Sequence, residues 1–146
     1  MIIRVLILSF LLIPITTTSY AENSEEDRVV ETFSVFWAEF RQAVLTGDKE
    51  RLVSMTLFPF KTRGQMDSDP VVKHNKASFF SIFGQLLNQD PGLSGTPDTM
   101  QNIIRRTERG AGNVVAKHGK SARVGDFVFL KIKNCWFFEM AFVNRE

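Results

Sequence analysis

The segment FVFLKIKNCWFFEMAFV, residues 127–143, constrains this chain more than any other. It reads as two strands joined at a Lys133-Asn134 turn, and apart from Lys131 and Glu139 both strands are apolar on both faces. A strand wetted on one side alternates apolar with polar residues, whereas one covered on both sides is apolar throughout. One face of this hairpin is therefore expected to meet helices of the same chain. The other should meet further protein, a partner or a pocket. The run also holds Cys135, the only cysteine in the sequence. With no second thiol there is no internal disulfide, so the fold rests on packing. The apolar neighbours of Cys135 predict a buried, inert thiol.

Helices precede this sheet. Val29, Phe33, Phe36, Trp37, Phe40 and Val44 recur at steps of three and four, the spacing of an amphipathic helix from Arg28 onward, after an acidic, frayed start. Gly47 suits a left-handed cap, and Asp48 can cap a short second helix from Lys49 to Met55. In LFPFKTRG, residues 57–64, Pro59 lacks an amide hydrogen, which predicts an edge strand with Phe60 and Thr62 on one face and Lys61 and Arg63 on the other. Residues 64–70 read as loop. Phe79, Ile82, Phe83, Leu86 and Leu87 mark a further helix, with Asn75 or Ser78 as its cap. Thr96-Pro97-Asp98 reads as the N-terminus of a short helix carrying Met100, Ile103 and Ile104. Residues 113–117 and 120–124 read as strands around His118-Gly119. Helices first and strands last give a single α+β domain, with N-terminal helices packed on one face of a curved antiparallel sheet.

The first residues are of another kind. Arg4, an apolar run from Val5 to Ile15 and the small-residue end Ser19-Tyr20-Ala21 follow the pattern of a secretory signal peptide. The run is shorter than the about 20 residues that span a bilayer. Residues 1–21 are thus expected to be removed near Ala21, leaving a domain over 22–146 in a bacterial periplasm, with no stable membrane insertion. Among 146 residues, 18 basic and 16 acidic side chains nearly balance, which argues against nucleic acid as a partner.

A long helix holding FWAEF, a T-G-D turn before a short helix, an F-P-F strand, a middle helix and the closing hairpin FVFLKIKNCWFFEMAFVN together resemble the nuclear-transport-factor-2-like superfamily, the α+β cone fold, and its small exported bacterial members. The hairpin departs from the family phrase, having Asn134-Cys135-Trp136 where glycine precedes lysine-tryptophan. The resemblance implies a cone with helices on one side, frequent homodimers, and either a binding role or isomerase- or hydratase-type chemistry. The catalytic members use Asp, Tyr or His in an apolar pocket. Here the only tyrosine, Tyr20, lies in the leader, so no residue inherits the phenolic role.

Glu139 is the sharpest acid-base candidate, because a carboxyl among apolar residues titrates high unless it is paired. By alternation it shares a face with Phe137 and Ala141, and it lies nearer Val128 than Lys131, so an ion pair needs either a diagonal reach to Lys131 or another partner such as Arg63. His74, Asp67 and Asp69 are weaker candidates. A ligand site would draw on Phe60, Arg63, Phe129, Trp136, Phe138 and Glu139. Lys61 and Arg63 suit an anion at a rim or a solvated edge. The basic run Arg105, Arg106, Arg109, Lys117, Lys120 and Arg123 is either a solvated face or an anion-binding patch. Two separated histidines offer no zinc site, and Asp67 to Asp69 is too short for a calcium loop, so neither metal nor cofactor is expected. Phosphate-binding, nucleophile-elbow and zinc-protease motifs are absent from the sequence. The expectation is an exported non-enzymatic binding protein for a small hydrophobic ligand or a protein partner. The alternatives are a cone-fold enzyme with a buried carboxylate, and an immunity or inhibitor protein.

Overall fold

The described residues open on α1, Glu25–Thr46, whose aromatic stripe faces inward: Phe33, Trp37 and Phe40 are buried together with Ala43 and Val44, and Phe36 packs half-buried against them. A computed structural model describes residues 25–92, 95–108 and 119–144, with side chains from residue 33 onward. The expected leader over 1–21, the strand over 113–117, Arg109, Lys117 and His118 lie outside the described residues. The helix begins at Glu25, so Glu25, Glu26 and Asp27 belong to its first turn and not to a frayed lead.

Local signals placed the next elements well. Gly47 takes φ +69° and ends α1, and Asp48 caps α2, Lys49–Ser54, by accepting from the Arg51 amide at 3.0 Å. Such a cap contributes about 1 kcal/mol. Asn75 caps α3, Lys76–Asn88, by accepting from the Ser78 amide. The fourth helix, α4, Met100–Arg106, starts later than the proline suggested, because Thr99 supplies the cap through its bond from the Asn102 amide.

The strands are β1, Thr56–Gly64; β2, Val72–His74; β3, Ser121–Val124; β4, Phe127–Ile132; and β5, Cys135–Val143. They form one sheet in the order β2-β1-β5-β4-β3. Its pairs are antiparallel except β1 with β5, which run parallel, so the sheet is mixed. This corrects the expectation for β1: it lies inside the sheet, between β2 and β5. Proline is tolerated there because Pro59 falls in a register shift between Thr56 and Lys61, where no ladder bond asks for its nitrogen. The strand β2 falls in a stretch to which the sequence pattern assigns no element; it is only three residues long and is defined by its antiparallel pairing with β1.

The four helices of the described residues pack on one side. Phe60, Phe127, Phe129, Trp136, Phe138 and Ala141 of the sheet join the buried residues of every helix in one cluster. Phe138 sits at its centre, with ring centroids 4.6 Å from Phe60, 4.8 Å from Phe127, 5.2 Å from Phe40 and 5.4 Å from Phe129. Each fully buried ring stabilises the fold by about 2–3 kcal/mol, and tilted or edge-on ring pairs add about 0.5–1.5 kcal/mol. No helix among the described residues is long and apolar enough to cross a membrane.

Candidate functional site

The face of the sheet turned away from the helices has its own composition, set by a bulge in β5. Val128 opposes Met140 while Phe129 opposes Phe138, so Glu139 is the extra residue. Alternation breaks there. Glu139 and Met140 both leave the core, and Ala141 returns to it at 0% exposure. Of the two residues expected on the face of Glu139, Phe137 is there and Ala141 is not; Met140 and Phe142 take its place. These, with Val128 and Leu130 of β4, form a half-buried apolar row that no helix among the described residues covers.

Cations border this row. Lys61 of β1 donates to Glu139 Oε1 at 2.8 Å, and with side chains 38% and 20% exposed the pair contributes no more than about 1 kcal/mol. This is the ion-pair reading of Glu139, with Lys61 and not Arg63 as the partner. Arg63 lies with its guanidinium carbon 5.6 Å from the Phe142 ring centroid and donates to Asp67 at 2.8 Å. Its Nε is buried without an acceptor among the described residues, a deficit of about 1–3 kcal/mol. Arg123 of β3 reaches across β4 to within 4.3 Å of the same ring. Lys73, opposite Lys61 on β2, is exposed beside them.

A second arrangement closes one end of the sheet. Asp126, in the Gly125-Asp126 turn between β3 and β4, is 0% exposed. Gln89 donates to its Oδ2 at 2.6 Å and Gln65 to its Oδ1 at 3.2 Å, and Arg123 approaches Oδ1 at 3.5 Å. Its backbone oxygen accepts from the Phe142 amide. Burial pushes its carboxyl above the usual range, while the bonds from Gln65, Gln89 and Arg123 pull the other way. Beside it lies an open concavity of about 400 Å³ lined by Gln65, Met66, Asp69 and Asn144. Nothing local in the sequence marks Asp126, because aspartate in a tight turn is ordinary and its partners lie 61 and 37 residues away.

The sheet divides the residues expected at one ligand site. Phe60, Phe129 and Phe138 at 0% and Trp136 at 5% exposure are core residues on the helix side, whereas Arg63 and Glu139 stand on the outer face. The acid-base candidates are dispersed as well. His74 Nε2 bonds to Thr62 Oγ1 at 2.8 Å, exposed Asp67 pairs with Arg63, and Asp69 accepts from the Met66 amide. Within the basic run, Arg105 donates to Asn102, Arg106 pairs with Asp98 and Arg123 with Asp126. Cys135 is exposed, not buried: it opposes Ile132 at the hairpin tip, where residues 132–135 are all exposed. No group of three His, Cys, Asp or Glu among the described residues is placed to hold a metal ion.

The fold and this face define an α+β protein with an open mixed sheet, covered by helices on one side. Comparison with protein-family models, with curated proteins and with solved structures found no match in any of the three.

Proposed function

We propose that this chain is an exported, non-enzymatic binding protein of the nuclear-transport-factor-2-like cone type whose outer sheet face receives a second, acidic protein. The observation that carries this reading is the half-buried row Val128, Leu130, Phe137, Met140 and Phe142, which no helix among the described residues covers. A contiguous apolar face rimmed by polar residues is the usual character of an interaction surface. Small ligands are held in concavities that enclose most of their surface. Neither the concavity beside Asp126 nor a second one, lined by Glu39, Asp48, Glu50, Arg51, Ser54 and Met55, borders the row. A protein partner therefore suits the face better than a small hydrophobic molecule.

Charge narrows the partner. Lys61, Arg63, Lys73 and Arg123 surround the row, and Glu139 is already paired. Arg63 and Arg123 also have carboxylates beside them, Asp67 and Asp126, so the rim holds four cations against three carboxylates; two copies laid face to face would oppose two weakly positive rims, which favours an acidic partner over a homodimer through this face. Export rests on the leader-like first 21 residues, and the cone type on the order of helices, F-P-F strand and closing hairpin. An inhibitor or immunity role is one form such binding would take.

The enzyme reading has one observation in its favour, the buried carboxyl of Asp126. Both of its oxygens accept hydrogen bonds and none of its surface is open, so it touches no substrate in this form.

The test is site-directed photocrosslinking in the native host. Benzoyl-phenylalanine in place of Leu130 or Phe137 should crosslink to one discrete foreign protein, and the same group at Val35, 62% exposed on α1, should not. Products made only of two copies of this chain would replace the acidic partner with self-association. Equal crosslinking from Val35, or none from the outer face, would remove the reading.

A further inference from the structure

We propose that Arg63 and Arg123, whose guanidinium groups each lie against the ring of Phe142, form a carboxylate receptor that takes a Glu or Asp side chain of the protein partner; this rests on the outer-face reading above. The two guanidinium carbons stand 5.6 and 4.3 Å from one ring centroid, although the residues are 60 positions apart and come from strands on opposite sides of β5. Two like charges gathered on one ring repel unless an anion lies near both. The anions already present do not meet that need. Asp67 is fully exposed at 102% and bonds a terminal nitrogen of Arg63 alone, and Asp126 is buried beneath the sheet end, 3.5 Å from Arg123.

Donors are left over. The Arg63 Nε–H is buried and has no acceptor among the described residues. Arg123 is held in place by its Nε bond to the Gly125 carbonyl at 2.7 Å, and among the described residues its other terminal nitrogen has no bond. A carboxylate matches a guanidinium fork in planarity and spacing, and charge-assisted bonds of this kind are about twice as strong as neutral ones. The surroundings strengthen them further. Phe142, Met140 and Val128 exclude water from one side, so an arriving carboxylate would be bound at lower dielectric than on an open charged surface. The same apolar residues would receive the aliphatic neighbours of that acidic side chain. An acidic residue flanked by leucine-like residues is thus the minimal motif that the site fits.

The experiment is an amide chemical-shift titration of the isotope-labelled, folded chain with a capped Leu-Glu-Leu peptide, its Leu-Gln-Leu counterpart and inorganic phosphate. The Glu peptide should give saturable shifts centred on Arg63, Phe142 and Val143, with the Gln peptide about ten-fold weaker or worse. Arg63→Met and Arg123→Met should each weaken the Glu peptide about ten-fold, and the lysine variants should fall between, since they keep the charge and lose the fork. Should either methionine variant lose its dispersed spectrum, the other, with its lysine counterpart, carries the test. Equal binding of the Glu and Gln peptides on the outer face, indifferent to both arginines, would overturn the receptor and leave the apolar face standing. Phosphate binding at the same residues as tightly as the Glu peptide would also overturn it, leaving a general anion site. Absence of shifts anywhere on the outer face would overturn both readings.

Discussion

Replacing Phe138 by alanine is expected to lower the unfolding free energy by about 3–5 kcal/mol, a large share of what a domain of this size commands. The ring is 0% exposed and packs against Phe40, Phe60, Phe127 and Phe129, rings supplied by α1, β1 and β4. Truncation would leave a cavity walled by other rings, which cannot close in together because each is fixed by its own strand or helix. The adjacent Phe137 offers the internal comparison. It is half-buried on the outer face, so Phe137→Ala should cost about 1 kcal/mol or less. Urea unfolding followed by circular dichroism measures both. Similar midpoints for the two variants would mean that the sheet is not one-sided as described.

The second large effect concerns pH. Asp126 is buried, and desolvation raises its carboxyl above the usual carboxylate range. A folded-state carboxyl raised in this way binds its proton more tightly than in the unfolded chain, so its contribution to stability is greatest below the unfolded value and is lost as pH rises through the folded one. The stability of the protein relative to a non-titrating Asp126→Asn variant should accordingly decline between about pH 4 and the raised folded value, then level off. Asparagine offers one acceptor oxygen where Gln65 and Gln89 each engage one of two, so the variant should also lose about 1–3 kcal/mol from a displaced amide. Urea melts of both proteins across that range measure the difference. A difference that is flat with pH, or that grows as pH rises, would contradict the burial-raised carboxyl.

What could be read in the sequence was local. The α1 stripe, the Gly47-Asp48 junction, the Asn75 cap and the Lys133-Asn134 turn, whose residues take φ +47° and +69°, each depend on a few neighbours. The division of β1 into Phe60 and Thr62 against Lys61 and Arg63 follows from period-two alternation and is present as expected. The misread features depend on pairing across the sheet. The bulge at Glu139 exists only because Val128 and Phe129 choose Met140 and Phe138, and it moves Ala141 from the face of Glu139 into the core. Pro59 suggested an edge to a reader who could not see the register shift that accommodates it. Cys135 looked buried from its neighbours in sequence, whereas its place at the hairpin tip exposes it. The cluster around Asp126 assembles four segments, and no spacing within any one of them announces it.

The outer face itself can be probed without mutation. Hydroxyl-radical footprinting of the isolated, folded monomer oxidises side chains in proportion to their contact with water. If the helices cover only one side of the sheet, Phe137, Met140 and Phe142 should be modified readily while Phe127, Phe129 and Phe138 stay protected. Protection of Phe137 and Met140 equal to that of Phe138 in the monomer would show that the chain covers both faces itself, and would leave no surface for a partner.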